Sequence, residues 1–317
     1  MVVEKVQLGA TDVWVSPLGI GTWQWGDRWM WGYGKDYGVD DVRAAFEAAV
    51  ESGVTFVDTA EVYGLGRSEK LLGSFIASSK AQVCVATKFF PFPWRVTKGQ
   101  LVNALRQSLK RLGLQQVDLY QLHFPRSARA IETWGEALAE VVEAGLTRAV
   151  GVSNYNAEQT GRIYNVLAAR GIPLATNQIH YSLLQHEPEH KGVLQTCRDL
   201  GVTIIAYSPL AKGLLTGKYT PQNLPAGLRR RMYDVERLAE IQPLIALMQE
   251  IGGAYGDKTP AQVALNWLLC KGTLPIPGAK NARHVRSNAG ALGWRMTSAE
   301  VAALDEASEE ASKRKGE

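Results

Sequence analysis

Asp58, Lys88 and His123 each close a short apolar run: Asp58 ends "VTFVD", Lys88 ends "VCVATK" and His123 ends "VDLYQLH". In an extended chain, alternate residues share a face. Asp58 is therefore in phase with Val54 and Phe56, Lys88 with Cys84 and Ala86, and His123 with Leu119 and Gln121. If those faces point into a common interior, the three polar groups converge at one mouth. Tyr63 follows Asp58 on the next loop, "DTAEVYGLG", within reach of the same spot. The chemistry open to this set is proton donation to an oxygen that gains charge during hydride addition. A phenol is a poor acid at neutral pH, and the expectation is that the Lys88 ammonium makes Tyr63 more acidic. Asp58 would pair with Lys88 and keep it charged. His123 would hydrogen-bond a substrate carbonyl or join the relay.

Taken singly, each residue has an ordinary reading. Asp58 caps a helix, Lys88 is a solvated strand-end lysine, His123 is a bonded core histidine, and Tyr63 carries no signal. Only their joint placement on three neighbouring strands points to a site. The set has no activated nucleophile and one well-placed carboxylate, which disfavours acyl transfer and a sugar-processing hydrolase. "GIGTWQWG" and "GLGRSEKLLG" lack the third glycine of a dinucleotide fingerprint, and "GLLTGKY" is one residue short of a phosphate-loop motif. Metal-ligand spacing and a Gly-x-Ser-x-Gly elbow are also missing from the sequence.

The elements that must position these residues follow from the pattern. β-Branched runs at Leu18–Thr22, Val54–Asp58, Val83–Lys88, Val117–His123, Ala149–Ser153, Ala175–Gln178, Thr203–Ser208 and Thr273–Pro277 alternate with helical segments. Those segments are Asp40–Ser52, Arg67–Ala77, Lys98–Leu112, Ile131–Ala144, Ala157–Arg170 and Pro260–Cys270. In Lys98–Leu112, Leu101, Leu105, Leu109 and Leu112 form one apolar stripe. Thr259 followed by Pro260 marks a helix start. Eight strands alternating with helices predict a (β/α)8 TIM barrel, an α/β fold, with a doubly wound sheet as the alternative. The absence of a Pro/Ser-rich linker favours one barrel domain over residues 1–317. An N-terminal β-hairpin, with its turn at Gly9–Asp12, is expected to plug the barrel. The interval from Pro209 to Gly272 is too long for one βα unit and is read as a functional loop followed by two helices, and extra C-terminal helices are expected.

Composition sets the outer bounds. The 317 residues are 46% hydrophobic, 21% charged and 9% aromatic, which is ordinary for a globular chain. A net charge of +4 suits a phosphorylated small ligand and is too weak to argue for nucleic acid. Three separated cysteines, Cys84, Cys197 and Cys270, read as reduced thiols of a cytosol-like compartment. No apolar run reaches membrane-spanning length. A cytoplasmic location is expected, or a plastid stroma if a transit peptide has been removed.

Several long segments carry a resemblance: "FVDTAEVYGLGRSEKLLG", "VATKF", "LRQSLKRLGLQQVDLYQLHFP", "AVGVSNYN", "TNQIHYSLL", "IIAYSPLAKGLLTGKY" and "IPGAKNARHVRSNAGAL". Over essentially its full length the chain resembles the aldo-keto reductase superfamily, closest to bacterial and plant members. The resemblance implies reduction of aldehydes or ketones by a nicotinamide cofactor without a Rossmann fold, and the tetrad Asp58, Tyr63, Lys88 and His123. It implies that Ser153, Asn154 and Gln178 hold the nicotinamide amide, Tyr207 stacks on the ring, and Ser208, Pro209, Leu210, Lys212 and Gly213 cover the pyrophosphate. Arg229, Arg230 and Arg231 would close over it, or form a solvated basic turn. Pro277, Gly278, Lys280, His284, Arg286 and Asn288 fall in the segment that holds the adenosine 2′-phosphate and adenine, so NADPH is expected over NADH. His284 stands where relatives often carry Arg or Gln. Trp23, Trp25, Trp29 and Trp31, with Trp94 opposite, are read as an aromatic substrate wall, or as local packing with an oligomer contact. The rival reading is an NADP(H)-binding regulatory subunit of the channel-associated type with little turnover. No metal is expected, and the partner is a small carbonyl compound: pyridoxal, sugar-derived aldehydes, methylglyoxal and lipid-peroxidation aldehydes all fit.

Overall fold

The computed structural model describes residues 4–125, 128–224 and 235–313. Two short strands, β1 (Val6–Gln7) and β2 (Trp14–Val15), form an antiparallel hairpin. Eight parallel strands follow: β3 (Gly19–Gly21), β4 (Phe56–Asp58), β5 (Cys84–Phe89), β6 (Val117–Leu122), β7 (Thr147–Ser153), β8 (Leu174–His180), β9 (Thr203–Tyr207) and β10 (Leu274–Ile276). Each pairs with its sequence neighbour. The ring closes where Gly21 bridges Gly278 in parallel and its N–H donates to the Pro277 carbonyl at 3.2 Å. Glycine is needed at that seam, since a Cβ on Gly19 would lie 2.6 Å from the Phe56 ring and 2.9 Å from Ile276. The fold is the expected (β/α)8 barrel.

The barrel interior justifies the period-2 reading. Phe56, Ala86, Leu119, Ala149, Ala175, Ile205, Leu274 and Ile276 point inward and pack with Leu8, Val13 and Val15 of the hairpin. The hairpin is thus a plug under the strands, tied by the Gly9 N–H to Thr203 Oγ1 at 2.8 Å. Asp58, Lys88 and Gln121 continue the same inward phase one step toward the strand carboxyl ends, where barrel sites are built.

The helices are α1 (Val39–Glu51), α2 (Arg67–Ser79), α3 (Lys98–Leu112), α4 (Ile131–Glu143), α5 (Ala157–Ala168), α6 (Glu187–His190), α7 (Val193–Asp199), α8 (Val235–Glu240), α9 (Gln242–Ala254), α10 (Pro260–Cys270), α11 (Ala282–Ala289) and α12 (Ser298–Lys313). α10 starts as the sequence implies: Thr259 Oγ1 accepts from the Gln262 N–H, and Gln262 Oε1 accepts from the Thr259 N–H. Among the described residues, the long interval after β9 holds three α-helices rather than two. Pro243, in the first turn of α9, cannot donate the bond that would continue α8, so a break falls at Ile241. The extra C-terminal helix α12 lies against α9, and Trp267 Nε1 of α10 donates to Asp305 at 2.8 Å.

Candidate active site

The carboxyl ends of the strands surround a cavity of ≈ 890 Å3. At its floor, Lys88 Nζ lies 2.5 Å from Asp58 Oδ1, both side chains buried. The ammonium also donates to the Thr59 carbonyl at 2.8 Å and stands 3.5 Å from the Tyr63 hydroxyl. Asp58 Oδ2 accepts from Gln178 Nε2 at 2.9 Å and Gln121 Nε2 at 3.3 Å. The carboxylate is thereby fixed on two sides without exposing the pair to water. His123 follows β6 directly, its N–H donating to the Phe89 carbonyl at 2.9 Å. Its ring meets Tyr63 edge-on at 5.8 Å and stacks on Phe124 at 5.0 Å. The tetrad residues are brought together.

Ionisation in this cluster departs from the sequence expectation. Burial pushes the Tyr63 phenol well above its ordinary pKa, and the Asp58 carboxylate pushes the same way. The expectation of an acidified phenol fails first because the phenol is buried, and then because the Asp58 carboxylate, which pairs with the ammonium at 2.5 Å, opposes a phenolate. Tyr63 therefore holds its proton throughout the neutral range. Burial lowers the Lys88 pKa while Asp58 opposes that shift. Burial, then the Lys88 charge, holds His123 well below 6.5, so its imidazole is neutral at pH 7.

A second half of the cavity follows strands β7 to β10. Asn154 adopts a left-handed conformation (φ 64°) and links three elements. Its Nδ2 donates to the His123 carbonyl at 3.1 Å and Ser153 Oγ at 3.0 Å, and its Oδ1 accepts from the Tyr207 hydroxyl at 2.9 Å. The Tyr207 ring stacks on His180 at 5.2 Å. Ser208, Pro209, Leu210, Lys212 and Gly213 line the next wall, with Ser208, Lys212 and Gly213 all at positive φ. Pro277, Gly278, Lys280, His284 and Asn288 line the far end. There Asn281 caps α11 by accepting from the His284 N–H at 3.0 Å. Burial lowers the His284 pKa, and Arg283, Lys280 and Lys218 add to the effect, so cations cluster at this helix start.

Some expected site residues lie elsewhere. Trp25 is wholly buried, packs edge-on against Phe75 at 5.8 Å and donates to the Ala279 carbonyl at 2.9 Å, so it is core and not substrate wall. The turn closed by the Trp25 N–H on the Thr22 carbonyl breaks the alternation that would have kept it beside Trp23. Trp29 is 89% exposed and Trp94 68% exposed, and neither lines the cavity. Trp23 and Trp31 do line it, with Trp23 stacked over Tyr63 at 6.4 Å. Arg286 does not line the cavity and pairs with Glu51 of α1 at 3.3 Å; Arg283 and Ser287 of α11 take cavity positions. Arg229, Arg230 and Arg231 fall outside the described residues. Sequence reasoning missed Gln121 as a partner of Asp58, although its inward phase signalled it. It also missed Gln24, His180 and Tyr219 of the lining.

The comparisons with known proteins decide the family. The family model described as the Aldo/keto reductase family matches residues 17–309. The chain belongs to the aldo/keto reductase family. It is 44% identical to the chloroplastic pyridoxal reductase of Arabidopsis thaliana, covering 98% of this chain and 87% of that protein. It is 34% identical to the aldo-keto reductase yakc [NADP(+)] of Schizosaccharomyces pombe, covering 85% and 83%. The solved glycerol dehydrogenase of Gluconobacter oxydans superposes with a TM-score of 0.83 at 27% identity, covering 97% of this chain and 95% of that one. The protein is accordingly an oxidoreductase of the aldo/keto reductase type, and its relatives support carbonyl reduction as its chemistry. No helix among the described residues is long and apolar enough to cross a membrane.

Proposed function

We propose that the chain is an NADPH-dependent reductase of aldehydes and ketones, with Tyr63 as the proton donor. The observation that carries this reading is the Tyr63 hydroxyl 3.5 Å from the Lys88 ammonium, both at the floor of a cavity of ≈ 890 Å3. The residues present fit such a cofactor. The cavity runs from the tetrad to the cationic start of α11 (Lys280, Arg283), an anion-favouring end. Buried Nδ1 of His123, Nε1 of Trp31 and Oε1 of Gln24 have no protein partner, and all three residues line the cavity.

Ser153, Asn154 and Gln178 are assigned to the carboxamide and Tyr207 to the nicotinamide ring. Ser208 through Gly213 would cover the pyrophosphate. Lys280, Arg283, His284 and Asn288 would hold the phosphorylated adenosine. When bound, the cofactor supplies a hydride to the carbonyl carbon. Neutral His123 and the Tyr63 hydroxyl orient the carbonyl oxygen by hydrogen bonds. As negative charge builds there, Tyr63 Oη gives up its proton and the alcohol is released. The phenolate left behind lies beside Lys88, which stabilises it. Lys88 thus acts on the product state of Tyr63 and need not acidify the resting phenol. Asp58 keeps Lys88 charged against its burial.

Trp23, Trp31, Phe124 and Tyr63 make the substrate end planar and apolar, which suits an aromatic aldehyde. The relative named for pyridoxal makes that compound the first to try. The deciding experiment is a steady-state screen of pyridoxal, methylglyoxal, aldoses and aromatic ketones with NADPH and NADH side by side. Preferred turnover of pyridoxal or another aromatic aldehyde with NADPH is expected. Negligible turnover across the panel despite tight NADPH binding would contradict the reading.

A further inference from the structure

We infer that Glu61 and Arg95 form a positioning pair that sets Tyr63, an inference that rests on Tyr63 being the proton donor. Tyr63 sits on a tight segment whose next three residues are all left-handed: Gly64 (φ 55°), Leu65 (φ 57°) and Gly66 (φ 81°). A leucine in that region is strained and needs outside support. The segment is held at both ends, each time by an arginine of the following βα unit. Two residues before Tyr63, Glu61 takes a forked contact from the Arg95 guanidinium, with Nη2 to Oε2 at 3.1 Å and Nη1 on Oε1. Glu61 Oε1 also accepts from the Phe90 N–H at 2.7 Å, and Arg95 Nη1 donates to the Phe90 carbonyl at 2.9 Å. The guanidinium lies over the rings of Phe89 (4.7 Å) and Phe92 (5.3 Å).

Six residues after Tyr63, the buried Glu69 accepts from Arg111 Nε at 2.5 Å and from Thr87 Oγ1 at 2.6 Å. A Cβ on Gly66 would meet Arg111 Cδ at 2.8 Å, so glycine there lets the arginine cross the segment. Both anchors bind the segment to the stretch around β5, which carries Lys88. The 3.5 Å spacing of phenol and ammonium is therefore a distance between two chain segments that the Glu61–Arg95 fork joins directly. The same fork fixes Phe90, whose ring meets the His123 ring at 5.5 Å. One polar pair outside the cavity so orients two tetrad members, as forked arginine–carboxylate pairs are suited to do.

The test is Arg95→Ala in the full chain, read in two ways. Steady-state kinetics should show kcat reduced by about 10- to 100-fold, with NADPH affinity unchanged, because a small misplacement of a reacting group carries that penalty. Added millimolar guanidinium should restore part of the loss, and Arg95→Lys, which keeps charge without the fork, should recover less than wild-type rate. Hydrogen–deuterium exchange without any substrate should show faster exchange in residues 59–66 and unchanged exchange in β5. Wild-type kcat in Arg95→Ala, or unaltered exchange in 59–66, overturns the inference. Should Arg95→Ala fail to fold, Glu61→Gln, which keeps an acceptor for the Phe90 N–H, is read against the same criteria. If the wild-type chain itself reduces no carbonyl, the functional reading fails, and the exchange comparison still decides the clamp.

Discussion

Replacing Lys88 with methionine isolates the electrostatic unit at the cavity floor. Methionine keeps most of the apolar bulk and removes the ammonium 2.5 Å from Asp58 Oδ1. Asp58 would retain two neutral donors, Gln178 at 2.9 Å and Gln121 at 3.3 Å, and no counter-ion. Removing one partner of a buried pair costs about 3–5 kcal/mol, because the other charge stays desolvated. The Thr59 carbonyl also loses its 2.8 Å donor, which places the expected loss in the upper half of that range. Adding Asp58→Asn to Lys88→Met removes both charges. The double variant should then be more stable than the sum of the single losses implies, by about 2–3 kcal/mol. Equilibrium urea unfolding followed by tryptophan fluorescence, on wild type, both single variants and the double, measures that coupling. Additive losses, or a Lys88→Met variant within about 0.5 kcal/mol of wild type, would refute the reasoning. Either result would mean that the carboxylate is hydrated or protonated and that the pair is no closed unit.

Two further outcomes follow from the same geometry. Trp25→Ala should cost about 3–5 kcal/mol of stability as a core truncation, whereas Trp29→Ala, at an 89% exposed position, should change stability by less than about 0.5 kcal/mol; thermal unfolding of the two separates them. His123, lowered well below 6.5 chiefly by burial, is neutral in the folded chain and protonated in the unfolded chain below about pH 6.5. The unfolded state then binds the extra proton. The His123 contribution to stability should therefore be full above that pH and fall by up to about 1.4 kcal/mol per pH unit below it, until its folded pKa is reached. His180 and His284, both also lowered by burial, add to the slope in the same direction, so melting curves between pH 7.5 and pH 5 should be less steep for His123→Gln than for wild type without becoming flat.

How much was legible in the sequence depended on whether a residue's direction followed from a local period. Asp58, Lys88 and Gln121 lie on strands, where a two-residue period fixes the face, so the cavity floor could be read from alternation alone. Tyr63 and His123 follow strand ends closely enough to inherit that placement. Trp23 and Trp25 lie past the end of β3, in a turn where the period no longer holds, and the structure sends one to the cavity and the other to the core. Arg286 was assigned to the phosphate end by charge. Its position on α11, set by the Asn281 cap, turns it toward Glu51 and turns Arg283, Ser287 and Asn288 toward the cavity. The ionisation of Tyr63 depends on how deeply the phenol is buried and on how closely Asp58 neutralises Lys88, and neither is written in spacing. The Glu61–Arg95 fork joins two βα units, so only the tertiary fold brings it to view.

Turnover and cofactor binding measured together on Tyr63→Phe test the central claim most directly. The ring and its stacking on Trp23 are retained, and only the proton-donating hydroxyl is lost. Carbonyl reduction should fall by about 100- to 10,000-fold, the range for loss of a general acid, while NADPH, titrated by quenching of protein fluorescence, binds as it does to wild type. A Tyr63→Phe variant that reduces the same carbonyl at the wild-type rate would contradict the account.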